Sequence, residues 1–575
     1  MLIVIVLAVY VRVSSRKIAS GQRVRYLQLA HNEWDPAAKM SRTKVLHSFG
    51  REDELDRAAI ERLVGSLSRL LEPDRAAAAT GPAELVFVGS RPFGGTDVLD
   101  GLWRTLGLDA VMREQLAGRR LDTRVERVLF ALVANRCLDA SSKLAAAGWV
   151  SNDVHVTGLD AIDEQACYRA MDWLLQIEPA LAKQVYHRVT GLLNLEVDLL
   201  FFDTTSTYFE LDEADEPVAR DGRGHALANP EDADAVSRKG FRSYGNSKDH
   251  RDDLPQVVVG MAVTRDGIPV RVWSWPGSTA DSELVRQARD DLRAWTVSKV
   301  VWVADRGFAS AANRRHLMRG GGSYIIGERL RSGSPEAAAA LARQGRYATV
   351  RDNLQVKEVN LGDGDRWVVC FNPVQAERDA HIRTKMLTRL EQAIAGSDAL
   401  PRDQRHQLAG VISTKPGLRR YLRTTSGGLL RVDQAAVKAE ARLDGKYLLR
   451  CADPQMSPED IALGYKQLLD VERGWRDLKQ VIDLRPIFHR REDRIRAHVL
   501  LCWLALLLIR VAETRTGHTW HRLRHHLQRL HLATFTGSAG LYRQTSEPTK
   551  PQRDIYTALD LPLPNKIINL AAAAH

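Results

Sequence analysis

At 575 residues the chain is too long for one hydrophobic core, and its length alone predicts roughly three to four domains. Its 44% hydrophobic and 27% charged residues fit a soluble globular protein and exclude collagen-like and intrinsically disordered classes. Eighty-two Lys and Arg against 71 Asp and Glu leave a net charge of +11, which favours a polyanionic partner without separating nucleic acid from an anionic membrane surface.

Five scattered cysteines (Cys137, Cys167, Cys370, Cys451, Cys502) form no C-x-x-C pair, which argues against a structural zinc site or disulfide framework and fits a reducing cytoplasm. Met1 to Val11 (MLIVIVLAVYV) lacks a basic leader and a small-residue cleavage site, and is too short to span a bilayer; a β-strand is expected. Val499 to Ile509 is equally short, with Arg494 and Arg496 before it and Arg510 after it, so a buried helix is expected in place of a membrane span.

In chain order, Val9 to Gly50 predicts a small β-meander (VYVRVS, RVRYLQLAH, RTKVLHSFG), whose Lys and Arg fit a DNA backbone or a solvated sheet equally well. Glu52 to Leu71 is helix-periodic. An Ala-rich Gly-Pro-containing link, Asp74 to Ala83, marks a domain boundary. From Asp97 to Asn194 the pattern is helical throughout, with no signature that places a DNA-reading helix.

At Val197 the pattern changes. VDLLFFDTTSTYFE holds the apolar strand LLFF, with Asp198 at its entrance and Asp203 closing it. A carboxylate on the inner face of such a strand is costly unless it is paired or metal-bound. An acidic looped stretch (Glu210 to Asp234) and a basic patch, SRKGFRSYGNSKDHR, follow. Two strands then join at Arg265-Asp266-Gly267, a hairpin turn. A helix is predicted from near Thr279, and the strand KVVWVADRGF ends in Asp305.

Neighbouring strands of one sheet would bring Asp203 and Asp305 together, and two facing carboxylates repel unless a cation lies between them. Oxygen donors without nearby His or Cys point to Mg²⁺ or Mn²⁺. A third carboxylate from a helix packed on that sheet would complete a two-metal site for phosphoryl transfer. The candidate is Glu472, in SPEDIALGYKQLLDVERGWRDLK. That stretch starts as a helix with Ser457 as cap and Pro458 at the first position. Leu468, Val471, Trp475, Leu478 and Ile482 form its buried face, and Tyr465, Glu472 and Lys479, seven apart, form a second stripe that Arg476 adjoins. Taken alone, that stripe is an ordinary charged helix surface.

Four blocks together resemble the DDE transposases of bacterial insertion sequences: FFDTTSTYFE; GNSKDHRDDLPQVVVGMAVTRDGIPV with WPGSTADSE; WVADRGF; and YKQLLDVERGWRDLK followed by LRPIFHRREDRIRAHVLLCWLALLL. They cover roughly Val197 to Ile509, and are most similar to the insertion-sequence four group, which carries a β-rich insertion before the Glu. The resemblance implies an α/β fold with a ribonuclease H-like core, a mixed sheet with flanking helices. It also implies a catalytic, metal-binding triad of Asp203, Asp305 and Glu472 and two Mg²⁺ or Mn²⁺ ions.

The family signature Tyr-x2-Arg-x3-Glu-x6-Lys is met by Tyr465, Glu472 and Lys479, but Leu468 holds the Arg place; Arg473 or Arg476 is the available substitute. Tyr465, Lys479 and Arg476 are then the expected DNA contacts. The division implied is an N-terminal meander (1–50), a helical, DNA-end-binding region (51–194), the first part of the core (195–330), the β-rich insertion (331–450), the second part with the Glu helix (451–515) and a basic tail (516–575). Trp367 in the insertion fits base stacking or, more simply, a strand core; His498 fits a packing role.

The expected activity is metal-dependent cleavage at transposon ends and strand transfer to target DNA, by a cut-and-paste route. The expected partners are transposon-end inverted-repeat DNA and target DNA, with a homodimer in the synaptic complex, in the cytoplasm at the nucleoid and with no membrane. A catalytically inactive DNA-binding derivative and a non-transposing nuclease of the same fold stay open as alternatives.

Overall fold

The computed structural model describes residues 9–572 except 18–22, 36–39, most of 53–85, 193–198, 296–299 and scattered loop positions. The expected helix at Glu52–Leu71, the link at Asp74–Ala83, Asp198 and the first eight residues lie largely or wholly outside the described residues. The chain divides into two units, one of Met1–Thr105, Met112–Trp173 and Val511–His575, the other of Leu106–Val111 and Leu174–Arg510.

In the first unit the expected meander forms. Strands Val9–Lys17, Arg23–Asp35 and Met40–Arg51 pair antiparallel in that order, because their alternating β-branched and polar residues suit a sheet with one covered face. Val24 and Ala30 are buried on one face, and Val11 and Val13 are exposed on the other. The helix Val125–Leu138 (VERVLFALVANRCL) is apolar on all sides and accordingly buried almost throughout. The Trp103 indole donates to Glu126 at 2.8 Å and the Trp520 indole to the Cys137 carbonyl at 2.8 Å. Strands Ile567–Ala572, Gly540–Thr545, His531–Gly537 and Val86–Pro92 form a four-stranded antiparallel sheet in that order, so the basic tail is a sheet as well as a helix.

The second unit is built on one nine-stranded mixed sheet, flanked by helices: the mixed α/β architecture expected. Its strands are β1 (Leu199–Tyr208), β2 (Gln256–Thr264), β3 (Pro269–Pro276), β4 (Val301–Ala304), β5 (Ser323–Glu328), β6 (Ala348–Arg351), β7 (Leu354–Asn360), β8 (Arg366–Phe371) and β9 (Lys446–Cys451). The order across the sheet is β6-β7-β8-β9-β5-β4-β1-β2-β3. Continuous apolar runs such as LLFF in β1 and QVVVGMAV in β2 are buried on both faces, as central strands require.

β1, β2 and β3 are antiparallel neighbours, with Gly267 (φ 73°) supplying the left-handed turn between β2 and β3. α1 (Asp281–Arg293) leads to β4, which lies parallel to β1; β5 lies parallel to β4. Strands of the 331–450 stretch then continue the same sheet: β9 runs antiparallel to both β5 and β8. Trp367 in β8 is fully buried beneath the Arg450 guanidinium, 4.4 Å away, which settles it as a core tryptophan. The helices Pro373–Ile394 and Arg402–Ser413 in this stretch pack around Leu390, Ile412, Leu418 and Tyr421, a small core of their own.

The stretch Ser457–Lys479, expected as one helix, is two: α2 (Pro458–Lys466) and α3 (Leu468–Gln480), separated at Gln467. The Ser457 hydroxyl caps α2 by accepting from the Asp460 N–H at 3.0 Å. α3 buries Val471, Trp475 and Leu478, and Ile482 just beyond it. Gly474 lets α3 settle on β2: a Cβ there would stand 2.9 Å from Met261 Cε. α4 (Glu492–Thr516) is long and apolar enough to cross a membrane, but Val499–Ile509 is buried within the protein, as core helices are. His498 sits inside it, Nε2 3.1 Å from the Leu484 carbonyl, as a packing histidine.

Candidate active site

Parallel pairing of β1 with β4 sets Phe202 opposite Ala304. The next residues, Asp203 and Asp305, therefore leave the two strands side by side, separated by about one strand spacing of ~4.8 Å. Strand pairing needs both apolar runs in the sheet to their last residue, and so delivers two half-buried carboxylates to one place. Burial raises the Asp203 carboxyl to about 6. The Thr204 backbone N–H, the Lys248 charge and the Trp475 indole pull it down, and the neighbouring Asp305 charge pushes it up.

α2 and α3 lie over this pair. The Tyr465 hydroxyl, from α2, donates to Asp305 Oδ1 at 3.0 Å, and its ring stacks on Tyr447 with centroids 6.0 Å apart. Burial, and then the adjacent Asp305 charge, hold the Tyr465 hydroxyl well above its ordinary pKa, so it stays a donor. This contact needs Gly327 of β5: a Cβ at that position would stand 2.3 Å from the Tyr465 oxygen. Trp475, from α3, is buried beside Asp203.

Lys479, further along α3, does not face the carboxylate pair. Its Nζ lies 3.0 Å from Asp249 Oδ1, and Arg485 reaches the same carboxylate at 2.7 Å. Burial lowers the Lys479 pKa, Asp249 opposes this, and the nearby Arg485 and Lys248 charges reinforce it. Glu472, Arg473 and Arg476 are exposed on α3, and Leu468, in the signature Arg place, is half-buried at its start. Among the described residues no three His, Cys, Asp or Glu side chains cluster closely enough to hold a metal ion. The structure thus brings Asp203, Asp305 and Tyr465 together, holds Lys479 nearby through Asp249, and leaves Glu472 and Arg476 at the surface.

Sequence reasoning missed four residues here. Lys248 forms an ion pair with Asp281 at 2.7 Å, and its backbone N–H donates to the Ser206 hydroxyl of β1 at 2.9 Å. Burial draws the Lys248 pKa down, but Asp281, Asp203 and Asp305 together hold it above the ordinary lysine value. The GNSKDHR run carried the signal for Lys248 and Asp249, but as a basic patch it gave no partner. Asp281 was legible only as a helix-capping acid, and Gly327 bore no local signal at all.

Residues 232–508, just under half of the chain, match the family model described as the transposase DDE domain. The matched stretch includes Asp305 and Glu472 and begins after Asp203. No curated protein matches the chain. Among solved structures, the chain is similar to the cryo-EM structure of the piggyBac transposase synaptic complex with hairpin DNA, at 10% identity and a TM-score of 0.33, over 75% of this chain and 76% of that one. The family match supports a DDE transposase.

Proposed function

We propose that this chain is a DNA transposase with a ribonuclease H-like core, of the insertion-sequence four type. In this reading it cleaves DNA at transposon ends and transfers the freed strand to target DNA by a cut-and-paste route. The observation that carries the reading is the pairing of Asp203 with Asp305 at the ends of adjacent parallel strands, beside a stretch that matches a transposase DDE domain. The strand order β3-β2-β1-β4-β5 supports the core assignment.

Two carboxylates with no His or Cys beside them fit a shared hard divalent cation. Asp203 and Asp305 would hold Mg²⁺ or Mn²⁺, two ions with Glu472 as the third ligand. When bound, the metal lowers the pKa of water and neutralises charge on the phosphate. The chain's own groups do the rest. The Tyr465 hydroxyl fixes the orientation of Asp305. Lys479 and the exposed Arg476 offer positive charge for DNA phosphates, where positioning and charge neutralisation account for most of phosphoryl-transfer catalysis. The working form is a homodimer that joins two inverted-repeat ends in the cytoplasm at the nucleoid.

This reading requires Glu472 to approach the aspartate pair on DNA. Its surface position favours the second reading, a DNA-binding derivative that does not cut. Strand cleavage of cognate ends in Mg²⁺ or Mn²⁺ decides between them, with Asp203→Asn, Asp305→Asn and Glu472→Gln compared with the unaltered chain. Loss of cleavage with end binding retained in all three is the expected result. Full cleavage by any one of them rejects the triad, and no cleavage by the unaltered chain despite tight binding selects the second reading.

A further inference from the structure

Lys248 has no role in the reading above, yet it is held in place from two sides. Its backbone N–H is fastened to Ser206, three residues along β1 from Asp203. Its ammonium rests 2.7 Å from Asp281, the first residue of α1. Its charge also bears on both Asp203 and Asp305, so one ammonium faces three carboxylates. Two adjacent carboxylates without a cation repel, and Lys248 is the lysine that offsets both.

We propose that Lys248 is the resident counter-cation of the Asp203–Asp305 pair, competing with the divalent ion for it, and that Asp281 is the partner that draws Lys248 aside when the ion binds. The inference rests on the proposed function, because it takes Asp203 and Asp305 as the metal ligands. It goes beyond that function in giving the metal-free site its own cation and the basic loop a part in metal affinity. A lysine with a purely structural role would lower metal binding on removal, because the loop would loosen. A competing lysine does the reverse. Asp281 acts in the opposite sense: without it, the ammonium is left to the aspartate pair.

The test is Mn²⁺ binding to the full-length protein without DNA, followed by isothermal titration and by the spin-resonance signal of free Mn²⁺. Lys248→Met is expected to tighten binding about tenfold, the size of a unit-charge interaction across several ångströms near a protein surface. Lys248→Arg keeps the charge and should bind as the unaltered chain does. Asp281→Asn should weaken binding severalfold, and that effect should largely disappear when Lys248→Met is already present. Lys248→Gln takes the place of Lys248→Met if circular dichroism shows the latter unfolded. Unchanged or weaker Mn²⁺ binding by the neutral variant overturns the proposal, as does an Asp281→Asn effect that persists in full without the lysine. Asp203→Asn separates the two readings. If it leaves Mn²⁺ binding intact, the metal site itself is wrong. If it abolishes binding while Lys248→Met changes nothing, only the role of Lys248 is wrong.

Discussion

Gly327→Ala gives a test of the site that needs neither metal nor DNA. The new methyl group would stand 2.3 Å from the Tyr465 oxygen, 3.0 Å from Cζ and 3.3 Å from Cε2. The hydroxyl is therefore about 1 Å inside ordinary contact distance and must retreat. Retreat by that amount stretches its 3.0 Å bond to Asp305 to about 4 Å, which is no longer a hydrogen bond. A hydrogen bond to a charged group contributes about 1.5–3 kcal/mol. With water partly replacing it at the half-buried Asp305, the substitution should cost about 2 kcal/mol. Tyr465→Phe removes the same bond and should cost about 1.5 kcal/mol by itself.

In the Tyr465→Phe background the methyl meets only the ring carbons, which need to shift by a few tenths of an ångström, so Gly327→Ala should then cost well under ~1 kcal/mol. The two changes should thus couple by about 1–2 kcal/mol in urea unfolding at neutral pH in chelator-treated buffer. Additive costs, or a Gly327→Ala penalty below ~0.5 kcal/mol, would refute the packing of α2 against β5 described above.

Other expectations follow from groups away from that contact. Asp97 is half-buried, accepts the Tyr556 hydroxyl at 2.6 Å, and is raised by burial to about 6 from 3.8. A raised folded-state carboxyl stabilises the fold below pH ~4 and loses that contribution as pH rises through ~6. Asp97→Asn should therefore raise stability by about 2 kcal/mol at pH 7.5 and change little near pH 4, read as Tm against pH. Arg450→Ala strips the buried partner from Asp365 (2.5 Å) and Asp363 (3.2 Å) and uncovers Trp367; a loss of about 3–5 kcal/mol in denaturant unfolding is expected. Asp249→Asn should release Lys479 and Arg485, raising affinity for duplex DNA and steepening its salt dependence by about one to two phosphate contacts in a binding titration.

Local signals carried far along this chain. The LLFF run, the turn at Gly267, the Ser457–Pro458 helix start and the apolar stripe of α3 were each written in a few adjacent residues, and each formed as expected. Asp203 and Asp305 were singled out because a carboxylate is costly at the end of an apolar strand. What sequence patterns did not carry was partnership across distance. The break at Gln467 lies within a helical pattern that shows no Pro or Gly at that point. It leaves Tyr465 on α2, aimed at Asp305, and Lys479 on α3, aimed at Asp249, so the even spacing of seven did not become one stripe. Lys248 acquires meaning only from Ser206 and Asp281, and Gly327 only from Tyr465. The tail strands pair with Val86–Pro92, more than 400 residues earlier, which no local periodicity reports.

The sheet also limits how the protein can be shortened. β9 covers the outer edge of β5, and β5 in turn flanks the strand that ends at Asp305. Cutting out 331–450 as a removable module would strip that edge of its hydrogen-bonding partner and leave a buried apolar strand, SYIIG, open to pairing with another molecule. A smaller working version would have to keep β6–β9 and trim the helical cap between Pro373 and Ala441 instead. Its ends meet at Asn372 and Gly445, whose backbones are already joined by a 2.8 Å hydrogen bond, so a short turn there would close the gap.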